Sequence, residues 1–83
     1  MNFTIEFTPF QADSSAQIMT TAVVKQGAET LWTEPIILNI TGDITIEQIQ
    51  EILRQRTNGF AARVEAIFMA RQFVGITPAP LQT

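Results

Sequence analysis

Three carboxylates, Asp43, Glu47 and Glu51, lie near the end and along one side of a predicted helix. Side chains four residues apart share one side of a helix, so these acids could hold a divalent cation or supply paired carboxylates for acid–base catalysis. Acids at the start of a helix also stabilise it by opposing its dipole, without any ligand. No other ligand type accompanies them, and we therefore predict neither a metal site nor a catalytic site here.

The residue types that most often carry catalysis and metal binding are missing from the chain, which has no His, no Cys and no Tyr. Ser14 and Ser15 lack a base to activate them, and the four glycines stand singly rather than in a phosphate-binding loop. We expect a protein that is not an enzyme and has no cofactor. A carboxylate-based enzyme or a small-ligand-binding domain around Trp32, the only tryptophan, remains an alternative.

Charge is distributed unevenly over the 83 residues, whose net charge is −3. Residues 1–51 carry seven acids against Lys25, whereas residues 52–83 carry four arginines against Glu65. We interpret the two halves as neutralising each other within one fold; the alternative is a complementary surface for a partner or a second copy. A pI of about 4.6 with a single lysine also makes a weak basic footprint, so we expect no nucleic-acid partner. The four arginines are Arg54, Arg56, Arg63 and Arg71.

The first half of the chain reads as β-structure. Apolar and polar residues alternate over residues 2–8, which is typical of a half-buried strand. The β-branched residues of 18–25 favour a second strand, although a capping box at Ser14 leaves a helix over 14–26 as an alternative. Residues 30–40 make the third strand, with Pro35 at an edge or a bulge. Residues 11–15 read as a loop.

The second half reads as two helices. Thr45 and Gln48 form a capping box that begins a helix over about 45–57, and Asn58 with Gly59 predicts a left-handed stop. Residues 60–74 contain helix-favouring residues, and we predict a second helix there, with one or two strands as the alternative.

The second predicted helix is apolar on two opposite sides, so both sides need cover. The first apolar arc comprises Phe60, Val64, Ile67, Phe68 and Val74, and we assign Val64, Ile67 and Phe68 to the core against the sheet. The second arc comprises Ala62, Ala66, Met69, Ala70, Phe73 and Ile76. Helix 45–57 or another molecule could cover it. We predict an interface between chains at Ala62, Ala66, Met69, Ala70 and Phe73, because small alanines allow close approach and the larger residues supply area.

The sequence therefore predicts an α+β fold in which a three-stranded antiparallel sheet is followed by two helices packed on one of its faces. Residues 1–76 form one domain, and residues 77–83 form an extended tail containing prolines. No signal peptide or membrane segment is recognisable, so we expect a soluble, cytoplasmic protein. The predicted function is a non-catalytic protein–protein interaction or assembly module that is homo-oligomeric through the C-terminal helix. The alternative is a small acidic inhibitor or adaptor for one larger protein.

Overall fold

The chain folds into an antiparallel sheet followed by two helices, as described by a computed structural model for residues 2–82. The predicted α+β fold is confirmed, and both predicted helices are present. Met1 and Thr83, the outer ends of the predicted domain and tail, lie outside the described residues. The elements are β1 (Thr4–Phe7), β2 (Gln11–Ser14), β3 (Gln17–Gln26), β4 (Glu29–Asn39), α1 (Ile46–Arg56) and α2 (Phe60–Arg71).

Strand β3 is the centre of the sheet. It pairs with β4 along one side, and with β1 and then β2 along the other. The sheet therefore has three rows, and the first row consists of two strands in line. The predicted strand over 18–25 is confirmed, and the alternative helix over 14–26 is wrong. Gly27 has a φ of 58° in the tight turn that joins β3 to β4.

The prediction of a loop at residues 11–15 is wrong, because Gln11–Ser14 is a fourth strand, β2. Pro9 interrupts the edge row, but Thr8 keeps the chain beside β3. Its backbone N–H donates to the carbonyl of Thr21 at 3.1 Å, and its carbonyl accepts from the hydroxyl of Thr20 at 2.6 Å. Pairing therefore resumes after the proline. All four side chains of β2 are exposed, so this edge strand has no hydrophobic pattern by which the sequence could reveal it.

Helix α1 begins at the predicted capping box. Thr45 Oγ1 accepts from the Gln48 backbone N–H at 3.2 Å, and Gln48 Oε1 accepts from the Thr45 backbone N–H at 2.8 Å. The predicted left-handed stop at Asn58 and Gly59 is wrong, because Gly59 has a φ of −85°. Instead the Thr57 hydroxyl donates to the Leu53 carbonyl at 3.0 Å, and after one turn the chain continues as α2. The two helices are thus pieces of one bent helix.

The core lies between the helices and one face of the sheet. Alternate residues of the strands point to this face, and the fully buried side chains come from the two longest strands and both helices. The helices therefore pack on a single face, as predicted. The fully buried apolar residues are Ala22, Val24, Ile36, Leu38, Leu53, Phe60 and Val64.

Candidate interaction surface

The inner side of α2 joins the helix to the sheet. Phe60 and Val64 are buried, and the ring of Phe60 meets Trp32 edge to face at a centroid distance of 5.2 Å. Ile67 and Phe68 are only half-buried, at the border of the core. These four residues form the inner face of α2, which faces the sheet. This agrees with the assignment of the first predicted arc to the core.

Val74 is the member of the first predicted arc that does not join the core. Its side chain is 79% exposed. The regular helix ends at Arg71, and the backbone N–H groups of Gln72, Phe73 and Val74 donate to carbonyls three residues earlier. This tighter winding rotates the following residues away from the positions expected for an α-helix. The prediction that the helix reaches residue 74 is therefore wrong by about one turn.

Two exposed ion pairs connect α2 with β4. Arg63 Nη1 lies 2.6 Å from Glu34 Oε1, and its guanidinium stacks over the Trp32 ring at 4.3 Å. Two turns later, Arg71 Nη2 lies 2.8 Å from Glu29 Oε2. The hydrogen bond from Arg71 holds the pKa of Glu29 below its ordinary value. Because both arginines pair with residues of β4, this side of α2 faces β4 and the opposite side faces away from the sheet.

The outer face of α2 lies on that opposite side, and no part of the described chain covers it. All five of its side chains are exposed, including Met69 at 54% and Phe73 at 64%. Helix α1, the intramolecular candidate for covering this arc, does not cover it. The outer face is defined by the five residues predicted for an interface between chains, of which the last follows the end of α2: Ala62, Ala66, Met69, Ala70 and Phe73. The interface itself stays a prediction.

The apolar surface continues into the C-terminal segment. Gly75 has a φ of 88°, which ends the helical winding, and residues 76–82 have no regular structure. Ile76 is 61% exposed and Leu81 is 92% exposed. Residues 72–82 contain no charged side chain. The outer face and this segment together give one end of the molecule a large uncharged surface.

The carboxylates that could bind a cation are arranged differently from a metal site. Glu51 pairs with Arg54, whose hydrogen bond lowers the pKa of the Glu51 carboxyl. Within residues 2–82, no group of three or more acidic side chains is placed to hold a metal ion. Asp43 and Glu47 are exposed near the start of α1, where they can oppose its dipole. Glu51 therefore has a partner within the chain, and Asp43 and Glu47 lie where carboxylates favour the start of a helix.

Two shallow grooves border α1, and neither was predicted from the sequence. One, with a volume of about 360 Å³, lies between β1 and α1 and has Ile5, Phe7 and Leu53 among its walls. The other lies against the first turns of α1 near Asp43. Trp32 borders neither groove. Its indole Nε1 is buried and has no hydrogen-bond partner among the described residues.

The arginines do not form a free basic surface. Arg54, Arg63 and Arg71 each pair with a glutamate, and Arg56 Nη2 lies 3.4 Å from the backbone carbonyl of Ile37. Each of these three ion pairs joins an acid of residues 1–51 to an arginine of residues 52–83. Opposite charges from the two parts of the chain therefore pair with each other on the surface of the fold.

Comparison with family models, with curated proteins and with solved structures finds no match to this chain. No helix within residues 2–82 has the length and apolar content needed to cross a membrane. Evidence about function therefore comes from the chain's own surface, and the outer face of α2 is its most distinctive part.

Proposed function

We propose that this protein is a non-catalytic assembly module that associates with a second copy of itself through the outer face of α2. The observation that carries the proposal is the exposure of a small, apolar face on a helix whose opposite face is anchored in the core. A helix that is apolar on both sides must be covered on both sides. The adaptor, the carboxylate-based enzyme and the cytoplasmic location stay predictions.

The molecule is more extended and exposes more surface than a compact chain of its size. The radius of gyration is 17.9 Å, whereas a compact chain of this length has about 12 Å. The accessible surface is 6350 Å², whereas a compact monomer of this mass exposes about 4,900 Å². The extended segment after Gly75 accounts for part of the difference. A standard interface removes about 800 Å² from each partner, which this excess surface can supply.

The edges of the sheet are poor sites for association, so the helix face is favoured over strand addition. Strands β1 and β2 form one edge, which Pro9 interrupts, and β4 forms the other. Pro35 lies near the middle of β4 and has no N–H to donate. Arg56 already reaches the carbonyl of Ile37 on the same strand. Prolines and charged side chains on edges are common protection against pairing with another sheet.

The expected affinity follows from the exposed apolar side chains at the end of α2. Met69, Phe73, Val74 and Ile76 are between 54% and 79% exposed. Complete burial of a fully exposed side chain of this kind contributes about 1.5–3 kcal/mol, and because the eight side chains of two copies are already partly buried, they would gain roughly 10 kcal/mol together. Association costs about 4 kcal/mol or more in lost freedom of motion. The remaining −6 kcal/mol corresponds to a Kd of tens of micromolar.

The test compares two glutamate substitutions of exposed alanines by analytical ultracentrifugation. Ala66→Glu places a charge in the centre of the outer face and should give a folded monomer. Ala61→Glu is the matched control, because Ala61 is also an exposed alanine of α2 but lies about 80° or more around the helix from each residue of the outer face that belongs to α2. It should self-associate like the parent. Equal association of all three proteins, with circular dichroism showing the same fold, would contradict the proposal.

A further inference from the structure

We propose that Asn58 is a site of spontaneous deamidation, at which the folded chain converts a side-chain amide into a carboxylate without an enzyme. The reacting groups are the carboxamide of Asn58 and the backbone nitrogen of Gly59. Asparagine is among the residues that proteins of hot environments contain less often, because its amide is chemically labile. This modification is independent of the proposed self-association.

The reaction needs only the chain and water. The Gly59 nitrogen gives up its proton to the solvent and bonds to Cγ of Asn58, and the bond from Cγ to Nδ2 breaks, so that ammonia leaves. The product is a cyclic imide that joins the side chain to the backbone. Water then adds to one of the two imide carbonyls and opens the ring, which leaves either aspartate or isoaspartate at residue 58. No oxidant or reductant takes part, and the chain takes up a water molecule for each ammonia that it releases.

The link between the two helices leaves both reacting groups without a partner. Residues 57–59 belong to neither α1 nor α2, and Asn58 and Gly59 are exposed. The side-chain hydrogen bonds of this link are made by the Thr57 hydroxyl. Within residues 2–82, no hydrogen bond is found for the Gly59 N–H or for the Asn58 carboxamide. The attacking nitrogen and the amide it attacks are therefore both in contact with solvent and unrestrained by other groups.

The glycine at position 59 favours the reaction but is not needed by the fold. A side chain on the attacking residue hinders the approach of its nitrogen, and glycine has none. Gly59 has a φ of −85°, which other residues adopt readily, and a Cβ added there would meet nothing within 4 Å. Gly59→Ala should therefore fold like the parent, and it provides a matched variant in which only the approach to Asn58 is hindered.

Asn39 has the opposite arrangement and serves as an internal reference. Its Oδ1 accepts from Gln17 Nε2 at 2.6 Å, which holds the carboxamide in place. The following residue, Ile40, is β-branched, and its backbone N–H donates to the carbonyl of Ala16 at 2.8 Å. Attack at Asn39 would have to break both hydrogen bonds, whereas attack at Asn58 breaks neither kind. The fold therefore protects Asn39 and leaves Asn58 open to reaction.

Peptide mapping by mass spectrometry, on protein stored in warm and mildly alkaline buffer, tests this assignment. Aspartate and isoaspartate should accumulate at residue 58 well before residue 39 changes. Each conversion takes the net charge from −3 to −4, so a more acidic form should appear on isoelectric focusing. Gly59→Ala, with its fold checked by circular dichroism, should lose most of the reaction. Unfolding in guanidinium chloride should accelerate the reaction at Asn39 far more than at Asn58, because only Asn39 loses protecting hydrogen bonds.

Three results would overturn the inference. Equal rates at residue 58 in the parent and in Gly59→Ala would show that the Gly59 nitrogen is not the attacking group. A rate at Asn39 in the folded protein that matches the rate at Asn58 would show that the hydrogen bonds around Asn39 give no protection. A rate at Asn58 that rises on unfolding as steeply as the rate at Asn39 would show that the fold protects both sites.

Discussion

Phe60 is a buried side chain that attaches α2 to the sheet, and its removal has a calculable effect. It is 4% exposed, lies in the core cluster and contacts Trp32 at a centroid distance of 5.2 Å. Replacing a buried Phe by Ala costs about 3–5 kcal/mol, through lost burial and the cavity that remains. A domain of 83 residues is stable by about 4–12 kcal/mol, so Phe60→Ala should remove a large part of its stability.

Chemical denaturation followed by the fluorescence of Trp32, the only tryptophan, measures this loss. Phe60→Leu keeps most of the apolar volume and should lose less, roughly 1–2 kcal/mol, which provides a folded variant if Phe60→Ala does not fold. Circular dichroism of the same samples separates a local change around the indole from unfolding of the whole domain.

Phe68→Ala is the internal comparison, because Phe68 lies on the same inner face of α2, about two turns further along, and is only half-buried. We expect it to cost about half as much as Phe60→Ala, roughly 1.5–2.5 kcal/mol. A loss for Phe68→Ala that equals or exceeds the loss for Phe60→Ala would refute this account of the core. The inner face of α2 would then be rotated relative to the sheet, and the outer face with it.

Three further predictions concern α1 and the ion pairs. Thr45→Ala should reduce the free energy of unfolding, measured in urea, by about 1 kcal/mol. Thr45→Ser should keep the free energy of unfolding of the parent, because its hydroxyl can also cap the helix. Alanine at Asp43, Glu47 or Glu51 should leave the metal content of the protein unchanged. If elemental analysis finds stoichiometric metal in the parent protein and less in one of these variants, the carboxylates form a metal site instead. The pKa of Glu29 is lowered from 4.5, so its contribution to stability is present above about pH 4.5 and disappears as the pH falls through its lower folded value. The urea concentration at the unfolding midpoint should therefore fall on acidification. In Arg71→Ala, which lacks the partner of Glu29, the midpoint should fall by a smaller amount.

Local signals in the sequence predicted the helices and the main strands well. The capping box at Thr45 acts over three residues, so its geometry follows from the sequence alone. Residues 60–71 could have been helix or strand, and helix propensity predicted the observed structure. The end of α2 was less predictable, because the tighter winding after Arg71 accompanies an ion pair with Glu29, 42 residues earlier in the chain.

Tertiary contacts account for the features that the sequence did not reveal. Strand β2 forms because β3 already offers hydrogen-bonding groups, and its own residues are polar and exposed. The pairing of Arg63 with Glu34, and its stacking on Trp32, depends on the path of α2 along β4. Of the predicted site, the sequence correctly indicated which side of α2 would lie away from the sheet, because apolar spacing alone determines the two arcs.

The mass of the unmodified protein in solution tests the central claim most directly. Sedimentation equilibrium over about 5–200 µM spans the Kd of tens of micromolar expected from the exposed apolar residues. We predict a mass that rises with concentration from the 9.2 kDa of the single chain toward twice that value. A mass that stays at 9.2 kDa over the whole range would contradict self-association through the outer face of α2.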